Sequence, residues 1–261
     1  VKRALLFDLD ETLMVEEPAA VAAFAATAQF AASRCEIDPA SLATGARLRA
    51  RELWYAAPTH EYCKRVGISS WEGLWCRFEG EGSDECALRD WSPTYRQEAW
   101  SLALADQGVD DPRLAEELGR QFGVERRARH EVFADAVGAL EQLQESHSLA
   151  LVTNGAACLQ REKLAASGLA DYFDAVVVSA DIGAAKPDVS VFEHALSQLG
   201  AESENAVMVG DSLAKDIDGA VAAGLGAIWV NRTASAAPSN REGLLEVTTL
   251  EELPVALANR Y

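Results

Sequence analysis

Two aspartates two positions apart, Asp8 and Asp10, follow the apolar run Ala4–Phe7. Carboxylates at the end of a buried strand are costly unless something cationic binds them. A second acidic group follows the apolar run Ala206–Val209: Gly210-Asp211-Ser212, with Asp216 and Asp218 downstream. Acids that converge with no basic run beside them favour a hard divalent cation with oxygen ligands and retained water, which points to Mg²⁺. Two further clusters suit an anion. Thr153-Asn154-Gly155 follows Leu149–Val152 and offers a hydroxyl, an amide and permissive backbone N–H groups. Lys186-Pro187 sets one ammonium just before a helix start. Taken singly, each has an ordinary reading. Asp-x-Asp is a common turn or cap, Thr-Asn-Gly a turn signal and a lone lysine a surface residue.

The elements that must position these groups are legible as short apolar runs. Ala4–Phe7, Leu149–Val152, Ala175–Val178, Ala206–Val209 and Ala227–Val230 each end in polar residues, as strands buried on both faces do. Helical patterns lie between the later ones, over Val132–Glu145, Cys158–Ser167, Val189–Leu199 and Ala214–Ala223, the last three closed by glycine. Such alternation predicts an α/β fold with a doubly wound parallel sheet, Rossmann-like, whose ligands bind at the strands' carboxyl ends. Between the first two strands the pattern is helical instead: Ala19–Arg34, Pro39–Tyr55, Ser69–Phe78, Ser92–Gln107 and Pro112–Glu125. A crossover needs only a dozen or so residues, so this stretch reads as an inserted α-helical subdomain. The expected division is a core of residues 1–16 and 130–261 and a helical insertion of 17–129. After Asn231 a loop is expected through Asn240, then a short terminal helix capped at Thr248–Glu251 or Thr249–Glu252.

Composition narrows the partners. The 261 residues carry 41 Asp+Glu against 23 Lys+Arg, a formal charge of −18, which disfavours nucleic acid and anionic membranes. Cys35, Cys63, Cys76, Cys86 and Cys158 show no C-x-x-C spacing and are odd in number, so they predict ordinary thiols in a reducing compartment. No run resembles a signal peptide or a membrane span, and a cytoplasmic location is expected. His60, His130, His147 and His194 have no metal-ligand spacing.

Asp8-x-Asp10-x-Thr12, Thr153-Asn154-Gly155, Lys186-Pro187 and Gly210-Asp211-(x)4-Asp216 together resemble the four ordered motifs of the haloacid dehalogenase superfamily. Thr153 to Arg232 is particularly similar to its small-molecule phosphatases, the N-acylneuraminate-9-phosphatase and phosphoglycolate phosphatase groups. The position of the insertion matches the subgroup with a helical cap, whose closure would exclude bulk water. The resemblance implies a Mg²⁺-dependent hydrolase of a small phosphomonoester, of the sugar, polyol or hydroxy-acid phosphate class, working through an aspartyl-phosphate. It makes Asp8 the nucleophile and Asp10 the proton donor to the leaving group and then the base. It assigns Thr153, Asn154 and Lys186 to the phosphoryl oxygens. The metal falls to the Asp8 and Asp211 carboxylates and the Asp10 backbone carbonyl, and Asp216 supports its waters or orients Lys186. The superfamily's dehalogenases expel halide without a proton and lack an acid at the position of Asp10, so its presence favours phosphoryl chemistry. Glu11 departs from the pattern, where Gly, Asp or Asn is more familiar.

Two alternatives remain at this point: a phosphomutase of the same fold, and a non-catalytic binding or regulatory protein. Intact acids at Asp8, Asp10 and Asp211 speak against the second. Five of the six tryptophans (Trp54, Trp71, Trp75, Trp91 and Trp100) lie in the insertion and read mainly as its own core. Arg47, Arg49 and Arg51 read as a solvated helix face, with recognition of a substrate carboxylate or second phosphate as the sharper option. The physiological substrate and the oligomeric state are not encoded in any motif.

Overall fold

The structure is a computed structural model that describes residues 2–235 and 244–260. Its strands in chain order are β1 (Arg3–Phe7), β2 (Met14–Val15), β3 (Glu131–Val132), β4 (His147–Thr153), β5 (Ala175–Val178), β6 (Ala206–Gly210), β7 (Gly226–Val230) and β8 (Leu245–Val247). Six of them form one parallel sheet in the order β5-β4-β1-β6-β7-β8. The five apolar runs are its first five strands in sequence. They are continuous because both sheet faces are covered. Leu5, Phe7, Leu149, Leu151, Val207, Val209, Ile228 and Val230 pack on one side with Leu140 and Leu143 of the helix Ala136–Gln144. Leu6, Ala150, Val152, Met208 and Trp229 pack on the other with Val191, Phe192 and Ala195 of the helix Val189–Leu199. The fold is therefore the expected three-layer α/β arrangement.

β1 lies between β4 and β6, so the chain winds one way from it through β4 to β5 and the other way through β6. The carboxyl ends of these central strands consequently border the point where strand order reverses, which is where open α/β sheets bind ligands. The short antiparallel pair β2–β3, with Met14 opposite Val132, closes the chain where it leaves the core and returns.

The chain separates into two compact units. One comprises residues up to Val15, Glu131–Asn154 and Leu164 onward; the other comprises Glu16–His130 and Gly155–Lys163. Residues 155–163, assigned to the core from sequence, thus cluster with the helices. The polar reason is Glu72, whose Oε1 accepts from the Ala156 N–H (3.2 Å) and from Gln160 Nε2 (3.0 Å).

The helical unit holds Glu17–Ala32, Pro39–Tyr55, His60–Val66, Ser70–Gly73, Ser83–Ala105 and Pro112–Arg127. Its interior is aromatic: Phe24 packs at a tilt against Phe122 (ring centroids 4.5 Å apart) and Trp100 (6.0 Å), while Trp91 stacks on Tyr95 (4.7 Å) beside Trp54. Trp54, Trp75 and Trp100 are buried, and Trp71 and Trp91 are half-buried. The three arginines are engaged within the unit. Arg47 pairs with Glu17 and covers the Trp71 ring, Arg49 pairs with Asp106 and Glu52, and Arg51 faces the Tyr55 ring.

Several boundaries differ from expectation. The helix expected over Ser69–Phe78 is shorter, Ser70–Gly73, and the chain beyond it turns, with Phe78 at φ 51°. The helix expected from Ser92 begins at Ser83 and runs through Pro93. Val132 belongs to β3 instead of a helix, and the Ala214–Ala223 helix divides into a wide π-type turn, Leu213–Ile217, and Asp218–Ala222. β8 was not foreseen: it has three residues and an exposed Glu246. The capping box forms at Thr249–Glu252 and caps a single 3-10 turn, Leu250–Glu252, that leads into the terminal helix Leu253–Arg260. The loop expected up to Asn240 lies from residue 236 outside the described residues. Among those described, no helix is long and apolar enough to cross a membrane.

Candidate active site

The register of the sheet sets Asp8 beside Gly210: Phe7 pairs with Val209, and the Asp8 N–H donates to the Val209 carbonyl at 3.0 Å. On the other side β4 ends in Thr153, which is buried. Lys186, from the loop after β5, reaches into this gap. Its Nζ lies 2.6 Å from Asp8 Oδ1, 2.7 Å from Asp216 Oδ1 and 2.6 Å from the Val152 carbonyl. The contacts to Asp8 and the Val152 carbonyl are hydrogen bonds, and the contact to Asp216 is an ion pair. Lys186 itself is fixed by Asn154, whose Oδ1 accepts from the Lys186 N–H (2.9 Å) and whose Nδ2 donates to its carbonyl (3.0 Å). The Lys186–Pro187 peptide is cis.

Asp216 is buried and turned onto this lysine, with its second oxygen accepting from the Ser212 N–H at 2.9 Å. Gly210 makes room for it. A Cβ at that position would sit 2.4 Å from the Asp216 carboxyl carbon, so any side chain there displaces the acid. Asp211 is held by its backbone: its N–H donates to Thr12 Oγ1 (3.0 Å) and its carbonyl accepts from Trp229 Nε1 (2.7 Å). Asp218 is exposed, as its place on a helix's first turn suggests.

The structure therefore brings Asp8, Asp211, Asp216, Lys186 and Asn154 into one connected group. Asp8, Asp211 and Asp216 each present an oxygen within 4.8 Å of the others. Asp10 contributes no carboxylate to that trio. It is half-buried on the loop after β1, where its backbone bridges to Met14. Thr12, Ser212, Trp229 and Arg232 are supporting residues whose roles were not foreseen. The Arg232 guanidinium binds the Thr12 carbonyl (2.6 Å) and Asp135 (3.0 Å) and lies 3.6 Å over the Phe133 ring. Only its position two residues past the end of β7 hinted at this.

Glu11 holds a left-handed φ of 61°. This accounts for the familiar Gly, Asp or Asn at this position, since these enter that region readily where a longer side chain is strained. Glu11→Gly is expected to stabilise the protein by about 1 kcal/mol. Urea unfolding in the presence of Mg²⁺ measures this, and a loss of stability would show that the glutamate side chain holds the loop.

Three acids facing one lysine leave a net negative group when all are ionised. Burial pushes the Asp8 carboxyl above its ordinary value, more than Lys186 pulls it down. Burial, then Asp8 and Asp216, push Asp211 up to about 8. Burial works against the Lys186 charge, but Asp216 and Asp8 outweigh it and hold the lysine pKa above its usual value. An all-oxygen donor set whose members retain protons for want of positive charge fits a divalent cation such as Mg²⁺.

The linkage has a definite sign. In metal-free protein the folded state keeps a proton on Asp211 that the unfolded chain, with an ordinary value of 3.8, has already lost. Stability is then greatest at low pH and falls as pH rises through the interval between 3.8 and about 8. Thermal melts in EDTA should drop by several degrees between about pH 5.5 and pH 8. Added Mg²⁺ should raise the melting temperature more at the higher pH, where it need displace no proton. A melting temperature in EDTA that stays level over this range would contradict the arrangement.

The comparisons with known proteins agree with one another. Residues 2–224 match the model of the haloacid dehalogenase-like hydrolase family. Phosphoserine phosphatase of Thermus thermophilus is 35% identical over 263 residues, covering 96% of this chain and 99% of its own. N-acylneuraminate-9-phosphatase of Mus musculus is 38% identical over 142 residues, covering 53% of this chain and 57% of its own. Among solved structures, 2-haloacid dehalogenase from Pseudomonas syringae superposes with a TM-score of 0.64 at 26% identity over all of both chains. The HAD-hydrolase YfnB from Bacillus subtilis, solved bound to magnesium, gives 0.64 at 25% identity over 98% of this chain and 99% of its own.

Proposed function

The chain belongs to the haloacid dehalogenase-like hydrolase family, as a phosphatase, and we propose that it hydrolyses small phosphomonoesters with Mg²⁺ through a phosphoryl-enzyme on Asp8. The observation that carries this reading is the buried Asp8–Lys186–Asp216 chain with Asp211 beside it, at the carboxyl ends of β1 and β6.

Lys186 fixes one oxygen of Asp8 and favours its ionised form. The other oxygen is the nucleophile: it attacks phosphorus in line as the bond to the ester oxygen breaks. Asp10 gives its proton to the departing alkoxide, then removes one from the water that cleaves the acyl-phosphate and restores Asp8. Thr153, the Asn154 N–H and Lys186 hold the phosphoryl oxygens, where charge gathers in the transition state. Asn154 keeps the lysine backbone in place when the phosphoryl group binds. Mg²⁺, held by the Asp8 and Asp211 carboxylates and the Asp10 carbonyl, would neutralise the repulsion between nucleophile and phosphate.

The substrate class is that of phosphorylated sugars, polyols and hydroxy acids. O-phosphoserine leads the hydroxy-acid arm, because the relative of matching length is named for it. The test is release of inorganic phosphate from a panel of such esters, with Mg²⁺ and with EDTA. One or more esters should be turned over with Mg²⁺ and lose at least about 100-fold in EDTA. Folded, Mg²⁺-supplied protein that frees no phosphate from any of them would overturn the proposal, and isomerised sugar phosphate in its place would mark a mutase.

A further inference from the structure

Three of the five cysteines are accounted for as ordinary thiols. Cys35 and Cys86 give their S–H to the carbonyls of Ala31 and Glu81, and Cys63 is buried with its thiol pushed up to about 12 by that burial. Cys76 and Cys158 differ. They are 82 residues apart in the chain, yet their sulfurs lie 3.4 Å apart inside the helical unit. Cys76 is buried and Cys158 partly exposed.

The backbone beside them is shaped around the pair. Phe78, buried and bulky, takes a left-handed φ of 51°, a conformation such residues rarely adopt without a reason. The bend turns the Phe78 N–H onto Cys76 Sγ at 3.4 Å and sets the Phe78 and Glu79 N–H groups around the Cys158 sulfur. With the Cys76 S–H as the main donor, these groups lower Cys158 to about 6. Cys76 is held in its thiol form by the same hydrogen bond and by burial. One sulfur is thus partly exposed and surrounded by donors, and the other is buried in contact with it. The segments carrying them are already joined by Glu72, which binds Ala156 and Gln160 on either side of Cys158. An S–S bond of about 2.05 Å needs only a small approach from the present separation.

We propose that Cys76 and Cys158 are a redox-responsive pair that closes to a reversible disulfide under a peroxide, with Cys158 attacking and Cys76 resolving. The Cys158 thiolate displaces the distal oxygen of hydrogen peroxide, and with one proton taken up gives Cys158 sulfenic acid and water. The Cys76 sulfur then attacks that sulfenic sulfur; the S–S bond forms, the S–OH bond breaks, and the Cys76 proton leaves with hydroxide as a second water. Two cysteines are oxidised by two electrons in all and one peroxide is reduced. The bond fastens the helix Ala157–Ser167, which begins three residues after Asn154, to the stretch following Gly73. The inference is independent of the phosphatase reading, since its readout is the thiols themselves.

The experiment treats native protein with a small excess of hydrogen peroxide, alkylates it and maps peptides by mass spectrometry without reduction. The expected result is loss of two of the five free thiols, a mass decrease of about 2 Da, one linked peptide pair containing Cys76 and Cys158, and full recovery in dithiothreitol. Cys76→Ser should leave a sulfenic acid on Cys158 that dimedone traps, with Cys76→Ala as a second check. Cys158→Ser should slow oxidation of Cys76 at least about tenfold. The proposal is overturned if wild-type protein keeps all five thiols, if the bond joins Cys35, Cys63 or Cys86, or if Cys76 oxidises as fast without Cys158.

Discussion

Asp8→Asn is expected to lower kcat by roughly 10⁴-fold or more, the scale seen when a covalent nucleophile is removed, while the protein stays folded. Asparagine has the shape of aspartate, and its carbonyl oxygen can still accept from Lys186 Nζ, which lies 2.6 Å from Asp8 Oδ1. What disappears is an oxygen able to carry the phosphoryl group. The electrostatics move stability in the opposite direction from activity. Asp8 is among the causes that hold Asp211 up at about 8, so its neutralisation lets Asp211 ionise at lower pH. In EDTA near pH 8 the variant should melt at or above the wild-type temperature, and its melt should depend less on pH. Phosphate release with Mg²⁺ and paired melts in EDTA measure both effects on the same sample, and intact mass guards against deamidation back to aspartate. A variant that retained turnover within about tenfold of wild type would remove Asp8 from the nucleophile's role.

The same residues explain how much of the molecule could be read in advance. Strands β1, β4, β5, β6 and β7 stood out because both their faces are buried, which leaves no polar position to interrupt the pattern. β8, at the sheet edge and three residues long, lacks that signature. The acids and Lys186 were legible because each follows such a strand or its loop. Their supports were not. Trp229 looked like one more core residue of β7, and nothing local shows that its indole N–H binds the Asp211 carbonyl. Glu72 is an intermediate case. Its spacing from Ser69 is that of a capping box, which the structure forms, but its grip on Ala156 and Gln160 comes from residues more than eighty positions away. That long-range contact accompanies the clustering of 155–163 with the helices instead of the sheet. The region from Ser69 to Phe78 differs for a related reason: its apolar spacing suits a helix, while the left-handed turn at Phe78, whose N–H meets Cys76 Sγ, has no local signal in the sequence.

Asp10→Asn separates proton transfer from every other duty of that loop, and its expected signature is a dependence on the leaving group. The loop's backbone carries bonds of its own: the Leu13 and Met14 N–H groups both donate to the Leu9 carbonyl at 2.9 Å, and the Glu11 N–H donates to the Met14 carbonyl at 2.8 Å. The Asp10 carbonyl therefore keeps its position, and Mg²⁺ affinity measured by titration should change by less than about threefold, consistent with retained backbone ligation. An alkoxide leaving group needs a proton, and losing a positioned acid typically costs 10²–10⁴-fold. Turnover of an alkyl phosphate should fall by about that amount. p-Nitrophenolate leaves without help, so the first step on p-nitrophenyl phosphate should stay within about tenfold of wild type. The second step still lacks its base, and the variant should show a burst of p-nitrophenol equal to the enzyme concentration followed by slow turnover, with phosphoryl-enzyme accumulating on Asp8. Quench-flow against both substrates reads the two steps separately. Equal losses in the first step for both esters, with no burst, would mean that Asp10 acts only through the shape of its loop, and the proton would have to come from elsewhere.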